Sequence, residues 1–452
     1  MRRFAPRRHL ALLALAAGLL AGVFAPAQAQ SLVELYEAAR GYDATYLAAR
    51  AQADAAMHRR AQADALRRPS LSLQAQTGRG LSDPPSPNEP DRGYANVTQG
   101  ALSGRQPLFN RANDATIEQA ERGVEIAQAE LALAEQDLIV RLSQAYFDVL
   151  VAIETLATAQ ASKAAISEQL AAAKRNFEVG TATITDTREA ESRFDLARAR
   201  EIQAENDLRV KRIALDQLVG RTGVEPKALS LPVALPATTP AGIGDWVSLA
   251  ETGHPQVRRA QLALDIARLE TDKARAGKLP TVDVVGSLQR AHNHGVSGLG
   301  TSLGRSSGGF TNGQIGVLLN MPLYTGGSID NRIRETLSLE EASRNNLEAA
   351  RRFVAQSTRQ AFTGLKSGEA EVGALEAAES SSKLALEATQ VGYRVGVRVN
   401  LDVLNAQSQL FATQRDLAAA RYNVLLATLR LRQAAGTLRA EDLQPVNALL
   451  QR

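Results

Sequence analysis

Hydrophobic residues between Leu108 and Glu225 recur at the spacing of one very long helix. Ile117, Val124, Leu131, Leu138, Ala145, Ala152, Ala159, Ile166 and Ala173 follow at seven-residue steps without a miss, which is a coiled-coil seam. A second seam position runs through Ala120, Ala127 and Ala134, then shifts to Leu142, Val149, Leu156 and Leu170, broken only by Lys163. All sixteen prolines lie outside this interval and outside Leu323 to Gln444, so both intervals can run as uninterrupted helices. At about 1.5 Å per residue, a helix over 110–177 reaches roughly 100 Å. No compact domain is that long.

The two intervals are copies. Gln144, Ala145, Leu170, Val179, Gly180, Asp186, Ala190, Ser192, Gln217 and Gly220 recur 216 positions later as Gln360, Ala361, Leu386, Val395, Gly396, Asp402, Ala406, Ser408, Gln433 and Gly436. A fixed offset without a gap predicts a duplicated helical hairpin, with Gly180 and Gly396 at the two hairpin turns, where glycine stops a helix. A shorter helical stretch precedes each hairpin, Leu32 to Leu66 and Trp246 to Lys278.

Between short and long helices the period falls to two, the signature of strands with unlike faces. Leu71, Leu73, Ala75 and Thr77 alternate with Ser70, Ser72, Gln74 and Gln76; Val282, Val284, Gly286 and Leu288 alternate with Asp283, Ser287 and Gln289. Ile315, Val317, Leu319, Met321 and Leu323 continue the pattern, and Asn96 to Leu108 is a less regular partner. Turn-rich loops, Ser82 to Pro90 and His292 to Gly309, separate each pair. Strands of about ten residues suit a tilted membrane crossing. Four strands cannot close a barrel, and open edges are not tolerated in lipid. The chain is therefore expected to oligomerise. Two chains give eight strands around a filled interior, and three give twelve with room for a lumen.

Composition narrows the chemistry. Cysteine is absent, which removes disulfides, thiol nucleophiles and cysteine-ligated metals. No run of 18 or more apolar residues is expected to span a membrane in the mature chain. The net charge of +4 sits at the start. Arg2, Arg3, Arg7 and Arg8 precede the apolar stretch Leu10 to Ala25 and the small-x-small site Ala27-Gln28-Ala29, a signal peptide over 1–29. Losing four arginines leaves 48 basic and 48 acidic residues, so nothing in the charge points to nucleic acid. Export by such a signal leads to the periplasm, the outer membrane or the exterior. No Ser/His/Asp set, phosphate-cradling glycine loop or paired catalytic carboxylate is present. No enzyme activity, catalytic residue, metal site or cofactor is assigned.

The chain resembles the TolC family of outer-membrane exit ducts. The resemblance rests on Gln144 to Leu150 (QAYFDVL), Val179-Gly180 through Ile184-Thr185-Asp186, and Gly392-Tyr393-Arg394-Val395-Gly396 through Leu401-Asp402-Val403-Leu404. Ala420 to Asn423 and the joints Gln106 to Phe109 and Met321 to Tyr324 add to it. It implies an α+β membrane protein, a homotrimer sharing one twelve-stranded barrel above a long helical tunnel in the periplasm. Two repeats, 31–230 and 241–440, would supply strand regions at about 69–80, 92–108, 280–290 and 311–323. Tunnel helices would lie at about 110–220 and 325–436, with equatorial segments at about 222–245 and 437–452. The implied partners are outer-membrane lipid, a periplasmic adaptor protein and an inner-membrane ABC or proton-driven transporter. A non-conducting, surface-anchored coiled-coil protein is the alternative, and a soluble periplasmic adaptor a third.

Two readings stand beside each candidate residue. Asp186 and Asp402 follow the glycine turns, where an acid caps a helix; by the resemblance, Asp402 joins an acidic ring at the periplasmic entrance. The acid often found one turn later is Asn405 here, which predicts weaker cation binding. Tyr393 and Arg398 match the family's constriction residues, a latch for which Asp186 is the expected partner position; otherwise they make an ordinary surface pair worth about 0–1 kcal/mol. His292 and His294 lack a third ligand and read as external loop. Trp246 reads as a packing anchor.

Overall fold

The computed structural model describes residues 30–82, 93–230, 239–297, 304–305 and 308–450. The expected signal peptide, most of the proline-rich loop and residues 231–238 of the 222–245 segment lie outside the described residues. Contacts divide the chain into two units.

The first unit takes residues 30–48, 132–254 and 353–450. Ser31 opens helix α1 (Leu32–Arg40) with a reciprocal cap, its amide on Glu34 Oε2 at 2.9 Å and its hydroxyl accepting the Glu34 amide at 3.3 Å. Leu32, Leu35, Tyr36 and Ala39 form the buried face. The helix stops at Gly41 and restarts at Asp43, whose carboxylate accepts the Tyr46 amide at 2.8 Å. The stretch expected as one helix over 32–66 is therefore two, α1 and α2 (Ala44–Asp64), with a 3-10 turn at Ala65–Arg67. Asp43 is 8% exposed and receives both terminal nitrogens of Arg141, at 3.0 and 3.1 Å. Burial alone would raise the Asp43 pKa, but the bonds from Arg141 and the Tyr46 amide outweigh it and hold the carboxyl below its ordinary range.

Helix α3 (Arg111–Glu178) carries the seam. Each of the nine seam residues is buried or half-buried. Leu138, Ile139, Leu142, Tyr146, Phe147 and Leu150 are the deepest of its large side chains. The Tyr146 hydroxyl donates to the Lys227 carbonyl at 2.9 Å. After α4 (Ile184–Val219), the chain meets both ends of the described residues: Pro226 bridges Gln30 and Leu229 bridges Leu450. Phe147 stacks on Tyr422 of α8 (Asn400–Ala434) with centroids 5.8 Å apart, and burial pushes the Tyr422 phenol up to about 12. Trp246 of α5 (Ile243–Gly253) is buried and donates its indole N–H to the Pro240 carbonyl at 2.8 Å. Pro255 opens α6 (Pro255–Ala276) in the first turn, where a missing N–H costs no intrahelical bond. The stretch expected over 246–278 is thus also two helices. Against expectation, α3 contains an 18-residue window of mean hydropathy 1.3, apolar enough to cross a membrane by length and composition. Its alanine-rich seam raises the hydropathy without a run of large apolar side chains.

The second unit takes residues 49–131 and 255–352. Ala53 and Ala56 of α2 pack on Ala127, beside Val124 and Leu131, and Arg67 pairs with Asp114 at 2.8 Å. Strands β1 (Ser70–Ser82), β2 (Gly93–Phe109), β3 (Thr281–Ser297), β4 (Gly304–Arg305) and β5 (Gly308–Asn320) form one antiparallel sheet. β2 and β3 are central, β1 and β5 flank them, and short β4 extends the end of β3. β5 stops two residues before Pro322, which has no N–H for the ladder. β3 passes its expected end near 290, because its pairing with β2 continues to Ala95↔Gly295. His292 and His294, expected in a loop, are therefore strand residues. On one face polar side chains bond one another: Ser72 to Ser103 at 2.7 Å, Gln99 to Gln76 at 3.1 Å and Arg105 to Asp283 at 2.7 Å. The other face carries Leu71, Leu73, Leu102, Leu288, Ile315, Val317 and Leu319, all exposed. Helix α7 (Ser328–Arg394) follows the sheet.

Candidate gate at the helical tips

One turn is built twice. After α3, Gly180 takes φ 78° and the amides of Thr181 and Ala182 converge on the Asn176 carbonyl at 2.8 and 3.1 Å. After α7, Gly396 takes φ 80° and the amides of Val397 and Arg398 converge on the Gly392 carbonyl at 2.9 and 3.2 Å. A left-handed residue with no β-carbon closes each hairpin.

The acids beyond the turns have different surroundings. Asp186 is tied into a full capping box: its carboxylate accepts the Thr183 amide at 2.9 Å and the Thr183 hydroxyl at 2.7 Å, while its own amide donates to that hydroxyl at 3.2 Å. Asp402 stands at the same place in the second copy, behind Val399, which has no side-chain acceptor. Among the described residues its carboxylate receives the Val399 amide at 3.4 Å and faces Arg398 Nη1 at 3.7 Å.

Within the chain the candidates therefore divide. Arg398 lies with Asp402, and Asp186 lies with Thr183. Tyr393 reaches the first copy by another route, its hydroxyl accepting Asn176 Nδ2 at 3.1 Å. Two more links join the copies, Gln169 to Asn400 and Arg193 to Asn405 at 3.2 Å. Leu404 of α8 packs into a small core made by Ile166, Ala173, Ala190 and Ala197 of the first hairpin. A groove of about 950 Å³ follows, between α3, α4 and α8, with Ser162, Arg200, Gln203, Asn405 and Gln409 in its walls.

Asn176, Gln169, Asn400 and Arg193 escaped the sequence reading, which followed identities between the copies. The useful signal lay in the differences. At the 216-residue offset, Asn176 faces Gly392, Phe177 faces Tyr393, Ala182 faces Arg398 and Thr183 faces Val399. Among the described residues no group of three His, Asp or Glu gathers to hold a metal.

Comparison with known proteins returns outer membrane proteins. The family model of the outer membrane efflux protein matches residues 35–221 and 246–437. The chain belongs to this family. Outer membrane protein TolC of Vibrio cholerae is 32% identical over 93% of this chain and 94% of its own length. The proteases secretion protein PrtF of Dickeya chrysanthemi is 30% identical over 98% of this chain and 96% of its own. The crystal structure of the outer membrane protein VceC from Vibrio cholerae shares the fold at TM-score 0.73 and 20% identity, over 90% of this chain and 96% of that one. As an outer membrane efflux protein, the chain is an exit duct with its sheet in the outer membrane and its helices in the periplasm. The family is one of channels, not of enzymes.

Proposed function

We propose that three copies assemble into one twelve-stranded barrel and one helical tunnel, and that the trimer is a passive duct. It would dock through its periplasmic end to an adaptor protein and an inner-membrane transporter that supplies the energy, in a tripartite efflux pump or a type I secretion system. The observation that supports this reading is the sheet. Among the described residues β1 and β5 each pair on one side only, and the polar face is hydrogen-bonded across strands while the apolar face is exposed. Such a sheet is stable in lipid only when other copies complete it.

In this reading Tyr393 and Arg398 form the latch that holds the tunnel end shut. Tyr393 acts within the protomer through Asn176, and Arg398 reaches Asp186 of a neighbouring copy when the ring closes. Three Asp402 carboxylates then face one axis and draw cations to the entrance. The test is single-channel recording of the purified protein in planar bilayers, with its mass measured in detergent. Discrete ion conductance from a trimer is expected. A stable folded monomer, or a trimer that never conducts, would leave the surface-anchored coiled coil as the better description.

A further inference from the structure

The apolar face of the sheet ends abruptly. Counted from the helices, its cross-strand rows are Val282 with Leu319, Val284 with Val317, Leu71 with Ile315, and Leu73 with Leu102 and Leu288. The next row is Ala75, Gly100, Arg290 and Thr311, and the one beyond is Thr77, Thr98, His292 and Gly309. Arg290 and His292 are both exposed. As residues i and i+2 of one strand they share this face, about 7 Å apart. Glycines leave them room. A β-carbon at Gly309 would stand 3.3 Å from His292 Nδ1, so the imidazole lies over that glycine, while one at Gly100, opposite Arg290, would meet nothing within 4 Å. Among the described side chains of this face there is no carboxylate.

A basic pair at the rim of a lipid-facing band has a definite level in the membrane. The helices leave the other end of the sheet and are periplasmic, so Arg290 and His292 stand at the head groups of the outer leaflet. Guanidinium groups bind phosphate with paired, charge-assisted hydrogen bonds. We propose that Arg290 and His292 form a binding site for the phosphate groups of the outer leaflet's phosphorylated glycolipid, repeated once per protomer around the barrel. This inference rests on the outer-membrane placement of the sheet, but not on conductance or gating.

The purified full-length protein, placed in nanodiscs with defined lipids, tests it through native mass spectrometry of the lipid it retains. The probes are bisphosphorylated lipid A, the same lipid without its phosphates, and phosphatidylglycerol. Wild type should retain the bisphosphorylated lipid about tenfold over the dephosphorylated one. Arg290→Ser with His292→Ser should abolish that preference, and Arg290→Lys with His292→Lys should keep most of it. Arg290→Gln alone should lower it by several-fold, which preserves the test if the double serine variant does not assemble. Equal retention of both lipid A forms by wild type overturns the proposal. So does equal retention of phosphatidylglycerol, which would make the rim a general anionic surface, or an unchanged preference in the serine or glutamine variants. A protein that conducts but shows no preference sinks this inference alone; a silent protein with the preference sinks only the duct.

Discussion

The two hairpin tips share a backbone and differ in what their side chains are free to do. In the first, Thr183 and Asp186 satisfy each other, so the acid is part of the fold. In the second, Val399 gives Asp402 one long amide contact and Arg398 stands 3.7 Å away. Tyr393 and Arg398 themselves replace Phe177 and Ala182 of the first copy. Duplication thus kept the turn and placed Tyr393 and Arg398 in one copy only.

The largest effect should come from the second tip. Tyr393→Phe with Arg398→Ser removes a hydrogen bond and an ion pair per protomer. At about 1 kcal/mol per bond in three protomers, the loss exceeds the ~1.4 kcal/mol that shifts a population tenfold. Single-channel conductance should rise and larger solutes should pass, with the trimer intact. Asn176→Ala should reproduce the Tyr393→Phe part, and combining the two should add nothing. If Phe177→Ala in the first tip opens the channel equally, the contrast between tips is wrong.

A several-fold effect is expected from the acids. With three Asp402 at the entrance, divalent cations added on the periplasmic side should block current. Asp402→Ala should relieve the block, whereas Asp186→Ala should loosen the start of α4 and leave cation sensitivity in place. Equal relief by both would remove the distinction. A smaller change should follow Gly392→Ala. The new β-carbon would lie 2.8 Å from Arg398 Cγ, so the arginine must move while its charge remains. Conductance should shift in the direction of Arg398→Ser but by less, and a change in the opposite direction would show that Arg398 does not hold the gate.

How far residues alone reveal this protein depends on the range of the interaction. The α3 seam was legible because one residue in seven repeats a local rule, and its burial follows. Its counterpart in α7 was not, since Glu340 and Gly368 interrupt the row that buries Leu347 and Val354, and Glu379 interrupts the row that buries Leu365 and Val372. The breaks at Asp43 and Pro255 carried visible signals, a capping acid and a proline, which the apolar period across them obscured. The far half of β3 was hidden for another reason. His292 and Asn293 have the composition of a loop, and pairing on both sides, with β2 distant in sequence and with β5, makes them a strand. Likewise the Asn176–Tyr393 bond joins residues 217 positions apart. No local pattern encodes such a contact.

The smallest effect bears most directly on why the two acids differ. If the missing cap at Val399 leaves Asp402 available, then Val399→Thr should supply the absent acceptor. The introduced hydroxyl would take the Asp402 amide and donate to its carboxylate, as Thr183 does for Asp186. Completing a capping box is worth roughly 0.5–1 kcal/mol. That gain should appear as stronger hydrogen-exchange protection in the first turn of α8, at residues 400–403. Conversely, Thr183→Val should lower protection in the first turn of α4 by a similar amount. The decisive readout is functional. A carboxylate engaged by that new hydroxyl offers less charge to the entrance, so Val399→Thr should weaken the divalent-cation block while keeping Asp402 in place. Protection that rises without any change in the block would mean that Asp402 faces the entrance for reasons other than its bare cap. Protection that does not rise at all would show that the two turns, alike in backbone, do not present the same geometry to a capping side chain.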